Sequence, residues 1–366
     1  MKNFHLVLNA GSSSLKFSVF DTKYILAVER GQISGIGSAP ILETSDGRTE
    51  LPKGLGYLDG LKLLFDWLIS KGIASSQLRT VGHRIVHGGT KFVAPIIVSD
   101  ETQFELEKLR ALAPLHLPFG LGVLREARAQ LPDVEHVACF DTAFHSTQPT
   151  LATMLSLPRS YYQKGYRRYG FHGLNYQHVV DALPKLTGKP LPRRLLAAHL
   201  GSGASMCAIL EGKSVGTTMG FSTADGLVMG TRTGSIDPGV LVALLRDEHL
   251  DIPQLEDLLY RRSGLLGLSG ISSDMRVLLA SAKPEAREAI DYYCYSAAKH
   301  AGSLITNLGG LDAVVFTGGV GEHVAPIREK IMSHLHWIGL PTDCVHVVSA
   351  NEELTIARAA ASLVPI

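Results

Sequence analysis

"LVLNAGSSSLKFSVF" (residues 6–20) joins two apolar runs through a turn of Gly and Ser, with Asn9 just before the turn and Lys16 just after it. The flanking runs read as strands and the small residues as a tight connection. Where a backbone must come close to a phosphate, Gly and Ser keep side chains out of the way and leave N–H groups free for the anion. No Walker A loop is present, because GxxxxGK[ST] is absent and a strand rather than a helix follows. The stretch has an echo. "LAAHLGSGASMCAIL" (196–210) superposes on it with Gly11 on Gly201 and Ser12 on Ser202. A third small-residue turn, "VVFTGGVGEH" (314–323), follows another apolar strand and precedes the helical pattern "APIREKIMSHL". One such turn is most simply a hairpin; three after three strands point to phosphate binding on two similar halves.

The rest of the chain is consistent with that reading. Its 366 residues are enough for two domains, each with its own core. Hydrophobic residues make up 45% and charged residues 19%, which argues against disorder. A net charge of +1 supplies no general field for nucleic acid or an anionic membrane, so a bound anion must be met by individually placed groups. Cys139, Cys207, Cys294 and Cys344 form no CxxC pair and sit in apolar surroundings, as expected of free buried thiols in a reducing cytoplasm. The apolar run at the amino terminus is too short for a signal-peptide core, and none approaches the ~18 residues of a membrane span.

Strand-like runs at 5–8, 17–20, 81–86, 136–140, 195–200, 206–210 and 313–317 alternate with helical patterns at 58–70 and 101–113, which gives an α/β class. The Pro- and base-rich stretch 183–194 is expected to be a surface connection ahead of a new strand.

"GHRIVHGG" (82–89) and "LVMGTRTGSIDPG" (227–239) place Arg84 and Arg232 among small residues, where a planar guanidinium suits bidentate grip of phosphate or carboxylate; a surface ion pair is the plain alternative. His83 and His87 lack the HExxH pattern and read as non-ligand histidines. Asp141 ends the strand of "ACFDTAFH" (138–145), a place for a magnesium carboxylate, although on position alone a turn-capping Asp is commoner. His172 lies between Phe171 and Gly173 in "RRYGFHG" (167–173).

"NAGSSSLKF", "GHRIVHGG", "FDTAFH", "RRYGFHG", "HLGSGAS", "MGTRTGSIDPG", "SGLLGLSGISSD", "FTGGVGEH" and "NEELTIA" occur in this order from residue 9 to residue 357. In this the chain resembles the acetate and propionate kinase family. The resemblance implies two ribonuclease-H-like domains of the actin, sugar kinase and Hsp70 superfamily with an ATP cleft between them, here 1–145 plus 353–366 and 146–352, and a homodimer. It implies reversible, direct in-line transfer of the ATP γ-phosphoryl group to acetate, giving ADP and acetyl phosphate, with magnesium or manganese.

Carried over by motif, Asn9 and Glu352 would orient the metal and Asp141 would sit beside it. Arg84, Arg232, His116 and His172 would hold the carboxylate and the passing phosphoryl group. Val86, Leu115, Phe171 and Thr223 would form the acid pocket. Ser14, Lys16, His199, Gly201, Ser202, Gly203 and Ala204 would line the nucleotide phosphates together with Gly318, Gly319, Val320 and Gly321. Asp274, Met275 and Arg276 would border the adenosine. No nucleic acid or membrane partner is implied.

The chain departs from the family pattern at Ser202, where Asn is usual, and at Thr223 and Ala224, where Pro-Leu is usual. It also differs after His116, in "FHGLNYQH", and in a shortened region between Leu340 and Asn351. The altered pocket wall keeps a kinase for propionate or a larger acid as an alternative. An actin-like or Hsp70-like ATP-binding scaffold is the rival of another class; Arg84, Arg232 and His172 speak against it.

Overall fold

A computed structural model describes residues 3–11 and 13–365. Ser12, which the sequence pairs with Ser202, lies outside the described residues. The chain divides into two compact units, one of residues 1–144, 173–178 and 351–366, the other of residues 145–172 and 179–350.

In the first unit the opening stretch forms strands β1 (Phe4–Ala10) and β2 (Ser14–Asp21), paired antiparallel with Asn9 opposite Lys16. Strands β3 (Ala27–Ser34), β4 (Ile41–Thr44) and β5 (Gly47–Glu50) continue the meander on one side. On the other side β6 (Leu78–Ile85) runs parallel to β1. The short β7 (Ile96–Ile97) edges β8 (Glu135–Phe140), which is parallel to β6. The order is β5-β4-β3-β2-β1-β6-β8-β7.

The second unit repeats this core. Strands β9 (Arg194–Leu200), β10 (Ala204–Leu210) and β11 (Lys213–Thr217) form an antiparallel meander. β12 (Ala313–Thr317) and then β13 (Val345–Val347) add parallel to β9. Reduced to five strands, both sheets have the order third, second, first, fourth, fifth, the ribonuclease-H-like arrangement expected from the motifs. Gly11 and Gly201 each follow directly on the first strand of their sheet, ahead of the second. A parallel fourth strand needs a crossover, and the apolar runs of β6, β9 and β12 fit strands covered on both faces.

The carboxy-terminal helix Glu352–Leu363 is capped by Asn351, whose side chain accepts from the Leu354 N–H, and it buries Ile356 and Ala357 against Val7 and Cys139. Gly82 on β6 makes that approach feasible, since a Cβ there would lie 2.5 Å from Ile356 Cγ2. The packing carries Glu352 to Asn9, across 343 residues of sequence.

Several expectations are corrected. Residues 183–187 belong to the helix Gly173–Thr187, which buries Leu183 and places Pro184 in its final turn before the left-handed Gly188. The 101–113 pattern is a helix over Asp100–Lys108 followed by a 3-10 turn over Leu109–Leu112. The small-residue turn at 318–322 is the start of a six-residue helix, Gly318–His323. Cys139, Cys207 and Cys294 are buried free thiols, but Cys344 is partly exposed. Among the described residues, no helix is long and apolar enough to cross a membrane.

Candidate active site

In the first unit β1, β6, β8 and the carboxy-terminal helix converge on one guanidinium. Arg84 donates from Nε and Nη2 to the two carboxylate oxygens of Asp141, at 3.0 and 2.6 Å, and from Nη1 to Asn9 Oδ1 at 3.1 Å. Glu352 lies 3.6 Å away from Arg84 Nε. Asn9 in turn donates through Nδ2 to Glu352 Oε2 at 3.2 Å and Glu353 Oε1 at 3.0 Å. The Asn9 oxygen expected to face a metal is therefore engaged by Arg84, and its amide bridges the arginine to the helix.

Burial works against the charge on Arg84, but Asp141, Glu352 and Glu353 outweigh it and hold the guanidinium firmly protonated. Burial raises the Asp141 carboxyl above the ordinary carboxylate range, Arg84 opposes that shift, and Glu352 adds to it. Three carboxylates around a single arginine leave negative charge uncompensated in the cluster.

In the second unit the turn Gly201–Gly203 is closed by a hydrogen bond from the Gly201 N–H to the Gly203 carbonyl at 3.0 Å. A Cβ placed on Gly203 would be 3.4 Å from Arg232 Nη1 and 3.7 Å from His172 Nε2, so this turn passes beside both of these motif side chains. Arg232 Nη1 is aimed by donation to the Thr223 carbonyl at 3.1 Å. His172 stacks on His199 with ring centroids 4.3 Å apart, and its Nδ1 pairs with Ser205 Oγ at 2.9 Å. His199 and Ser205 face each other across β9 and β10. The backbone of Gly264, at φ +62°, packs against Met229 and Arg232, where a Cβ would lie 2.2 Å from the Met229 carbonyl.

The same unit carries a cavity of about 640 Å³ bordered by Gly201, Ser202, Asp274, Met275, Arg276, Gly319 and Val320. Leu265, Ser273, Tyr293, His323 and Val324 complete its wall. An apolar wall with a few polar groups is the form usual for a small-molecule pocket. Gly318 enters the adjoining turn at φ +78°, where a Cβ would lie 2.8 Å from the Leu200 carbonyl; Gly321 packs behind it and Ala204 begins β10.

The remaining expected residues are distributed between the units. Val86 follows β6 and is buried; Leu115 and His116 are half-buried just before the helix Leu117–Gln130. Phe171 and Thr223 are buried in the second unit. Ser14 and Lys16 lie on β2 rather than in the turn, and Lys16 shares a groove of about 380 Å³ with Arg30, Glu43 and Glu353. Sequence reading missed Glu353 and Tyr293. The doubled acid of "NEEL" was a usable signal for the first; the second depends on tertiary neighbours, as does the pairing of Ser205, within the expected phosphate run 201–205, with His172.

The acetokinase family model matches residues 4–366. An acetate kinase of Rhodopseudomonas palustris is 45% identical over 94% of this chain and 89% of its own length. An acetate kinase of Rickettsia akari is 40% identical over 98% of both chains. Among solved structures, a propionate kinase from Francisella tularensis superposes with a TM-score of 0.92 at 31% identity, covering 98% of each chain. Porphyromonas gingivalis acetate kinase gives 0.90 at 32%, covering 99% of each. By sequence over nearly its whole length and by fold, the chain belongs to the acetokinase family.

Proposed function

We propose that this protein transfers the γ-phosphoryl group of ATP to acetate, reversibly and in line, giving ADP and acetyl phosphate. The observation that carries the reading is the meeting of a Gly-Ser-Gly turn, Arg232 Nη1 and His172 Nε2 in one place. Phosphoryl transfer asks little covalent work of a protein and much placed positive charge, because negative charge crowds onto the equatorial oxygens.

Adenosine occupies the cavity bordered by Asp274, Met275 and Arg276, and the backbone of 201–204 and 318–321 follows the phosphates. Arg232 and His172 donate to the moving phosphoryl group. Arg84, kept cationic and oriented by Asp141, meets the acid's carboxylate with the two N–H groups that Asp141 and Asn9 leave over. His116 adds a donor, and Val86, Leu115, Phe171 and Thr223 receive the methyl group.

The carboxylates of Asp141 and Glu352 are hard oxygens with negative charge to spare, which fits magnesium, or manganese, held by a few side chains, with Asn9 bridging Glu352 to Arg84. Among the described residues no group of three or more His, Cys, Asp or Glu could by itself hold a metal ion. When bound, the metal neutralises charge on the phosphate oxygens. We place the enzyme in the cytoplasm, as a homodimer.

Propionate is the second reading, favoured by the polar Thr223 in place of Pro and by the propionate kinase among the structural neighbours. Steady-state kcat/KM for acetate, propionate and butyrate tests the assignment: acetate should lead. A higher value for propionate would transfer the proposal to that acid, and no acid-dependent turnover would end it.

A further inference from the structure

His172 adopts a left-handed backbone, φ +59° and ψ +19°, that ordinary side chains enter rarely. Something must hold it there. Directly before it, the Phe171 carbonyl lies 2.9 Å from His145 Nε2. A carbonyl can only accept, so Nε2 carries the proton and Nδ1 has the lone pair. Nδ1 in turn accepts from the Ser214 hydroxyl at 2.9 Å, and Ser214 Oγ accepts from the Cys207 thiol at 3.3 Å.

Gly170 leaves the ring its space: at φ +82°, a Cβ there would lie 2.5 Å from His145 Cγ and Cδ2. His145 is buried, and burial lowers its pKa to about 4, so it is neutral at working pH, as the single-proton assignment requires. The imidazole thus has a fixed tautomer and donates to the carbonyl of the peptide bond that leads into His172.

We propose that His145 is a positioning residue for phosphoryl transfer: through the Phe171 carbonyl it sets the backbone that aims His172 Nε2 past Gly203 toward Arg232. This rests on the reading of His172 as a donor to the phosphoryl group. Misplacing such a group by about 1 Å costs on the order of a hundredfold in rate. The adenosine cavity is built from other residues, so nucleotide affinity should be spared.

The test is a double-mutant cycle between His145→Ala and His172→Ala, read as kcat, as KM for ATP, and as the imidazole ¹⁵N signals of His172 in the free protein. His145→Ala should lower kcat by roughly ten- to a hundredfold with KM for ATP unchanged and the His172 signals shifted. In the His172→Ala background it should cost nothing further, because its effect acts through that ring. His145→Gln, which can still offer an N–H to the carbonyl, should recover most of the activity.

Should His145→Ala fail to fold, Ser214→Ala keeps the ring and its tautomer and removes the hydroxyl that holds it at Nδ1; a smaller kcat loss, again absent without His172, is expected. Losses that add in the two backgrounds, or unmoved His172 signals, overturn the proposal. A His172→Ala enzyme with normal kcat would instead overturn the role of His172 itself.

Discussion

Gly203→Ala probes the candidate site at its narrowest point. The added methyl would sit 3.4 Å from Arg232 Nη1 and 3.7 Å from His172 Nε2, ordinary van der Waals distances that require no neighbour to move. Gly203 is not among the glycines at positive φ, so alanine adopts its backbone without strain. The folded protein should therefore tolerate the change, and the narrower unfolded ensemble of alanine could add a few tenths of a kcal/mol.

A phosphoryl oxygen is a different matter. It must come within about 2.7–2.9 Å of the guanidinium nitrogen, and the methyl occupies part of that approach. Losing one charge-assisted hydrogen bond costs about 1.5–3 kcal/mol, and each 1.4 kcal/mol is tenfold, so kcat/KM should fall by roughly ten- to a hundredfold. Acetyl phosphate trapped with hydroxylamine gives the rate, and a thermal melt gives Tm. The control is Gly302→Ala in the helix Pro284–Leu308, where a Cβ meets nothing within 4 Å. Unchanged kcat/KM in Gly203→Ala at unchanged Tm would refute the placement of the phosphoryl group beside this turn.

The control is itself predictive: removing an interior helix glycine should raise stability by about 1 kcal/mol, seen as a higher Tm with activity intact. Glu352→Gln should raise the magnesium half-saturation by about tenfold or more while leaving KM for acetate comparatively unmoved, measured by metal titration at saturating ATP and acid. Burial lowers His5, His87 and His136, like His145, to about 4, below their unfolded value near 6.5. The unfolded chain then binds more protons between those values, so stability is complete above about pH 6.5 and is lost as pH falls toward 4. Tm should drop across that window, and a flat profile would contradict the burial of these rings as neutral groups. If Thr223 lines the acid pocket as proposed, replacing it by Pro should raise the ratio of acetate to propionate kcat/KM, since a polar group beside a substrate methyl costs desolvation.

The core strands and the repeat were legible because their signals are local. The strand-turn-strand pattern of residues 6–20 recurs at 196–210, and both copies occupy the first hairpin of a sheet with the same strand order. The wholly exposed Gly47–Glu50 carries no apolar period, and the three-residue Val345–Val347 is too short for its alternation to stand out. Pro184 and the basic residues after it hid the last turn of a helix, because tertiary burial of Leu183 overrides the local breaker. In the site, the motif residues Arg84, Arg232 and His172 were found as residue types in Gly-bounded runs. What sequence could not convey is who holds them. The bridge through Asn9 to Glu353, the Ser205 partner of His172 and the His145 clamp each join positions brought together only by sheet registers and helix packing. The Asn9 amide shows the difference most plainly, since its type suggested a metal ligand while its neighbours make it a bridge.

Phosphoryl transfer to a carboxylate differs from ATP hydrolysis in one product. Incubating the purified protein with ATP, magnesium and acetate in the presence of hydroxylamine, and counting both ADP and acetyl hydroxamate, distinguishes them directly. Transfer predicts one hydroxamate per ADP and no ADP above background when acetate is omitted. ADP released at the same rate without acetate, or with acetate but without hydroxamate, would contradict the assignment and return the fold to an ATP-hydrolysing scaffold.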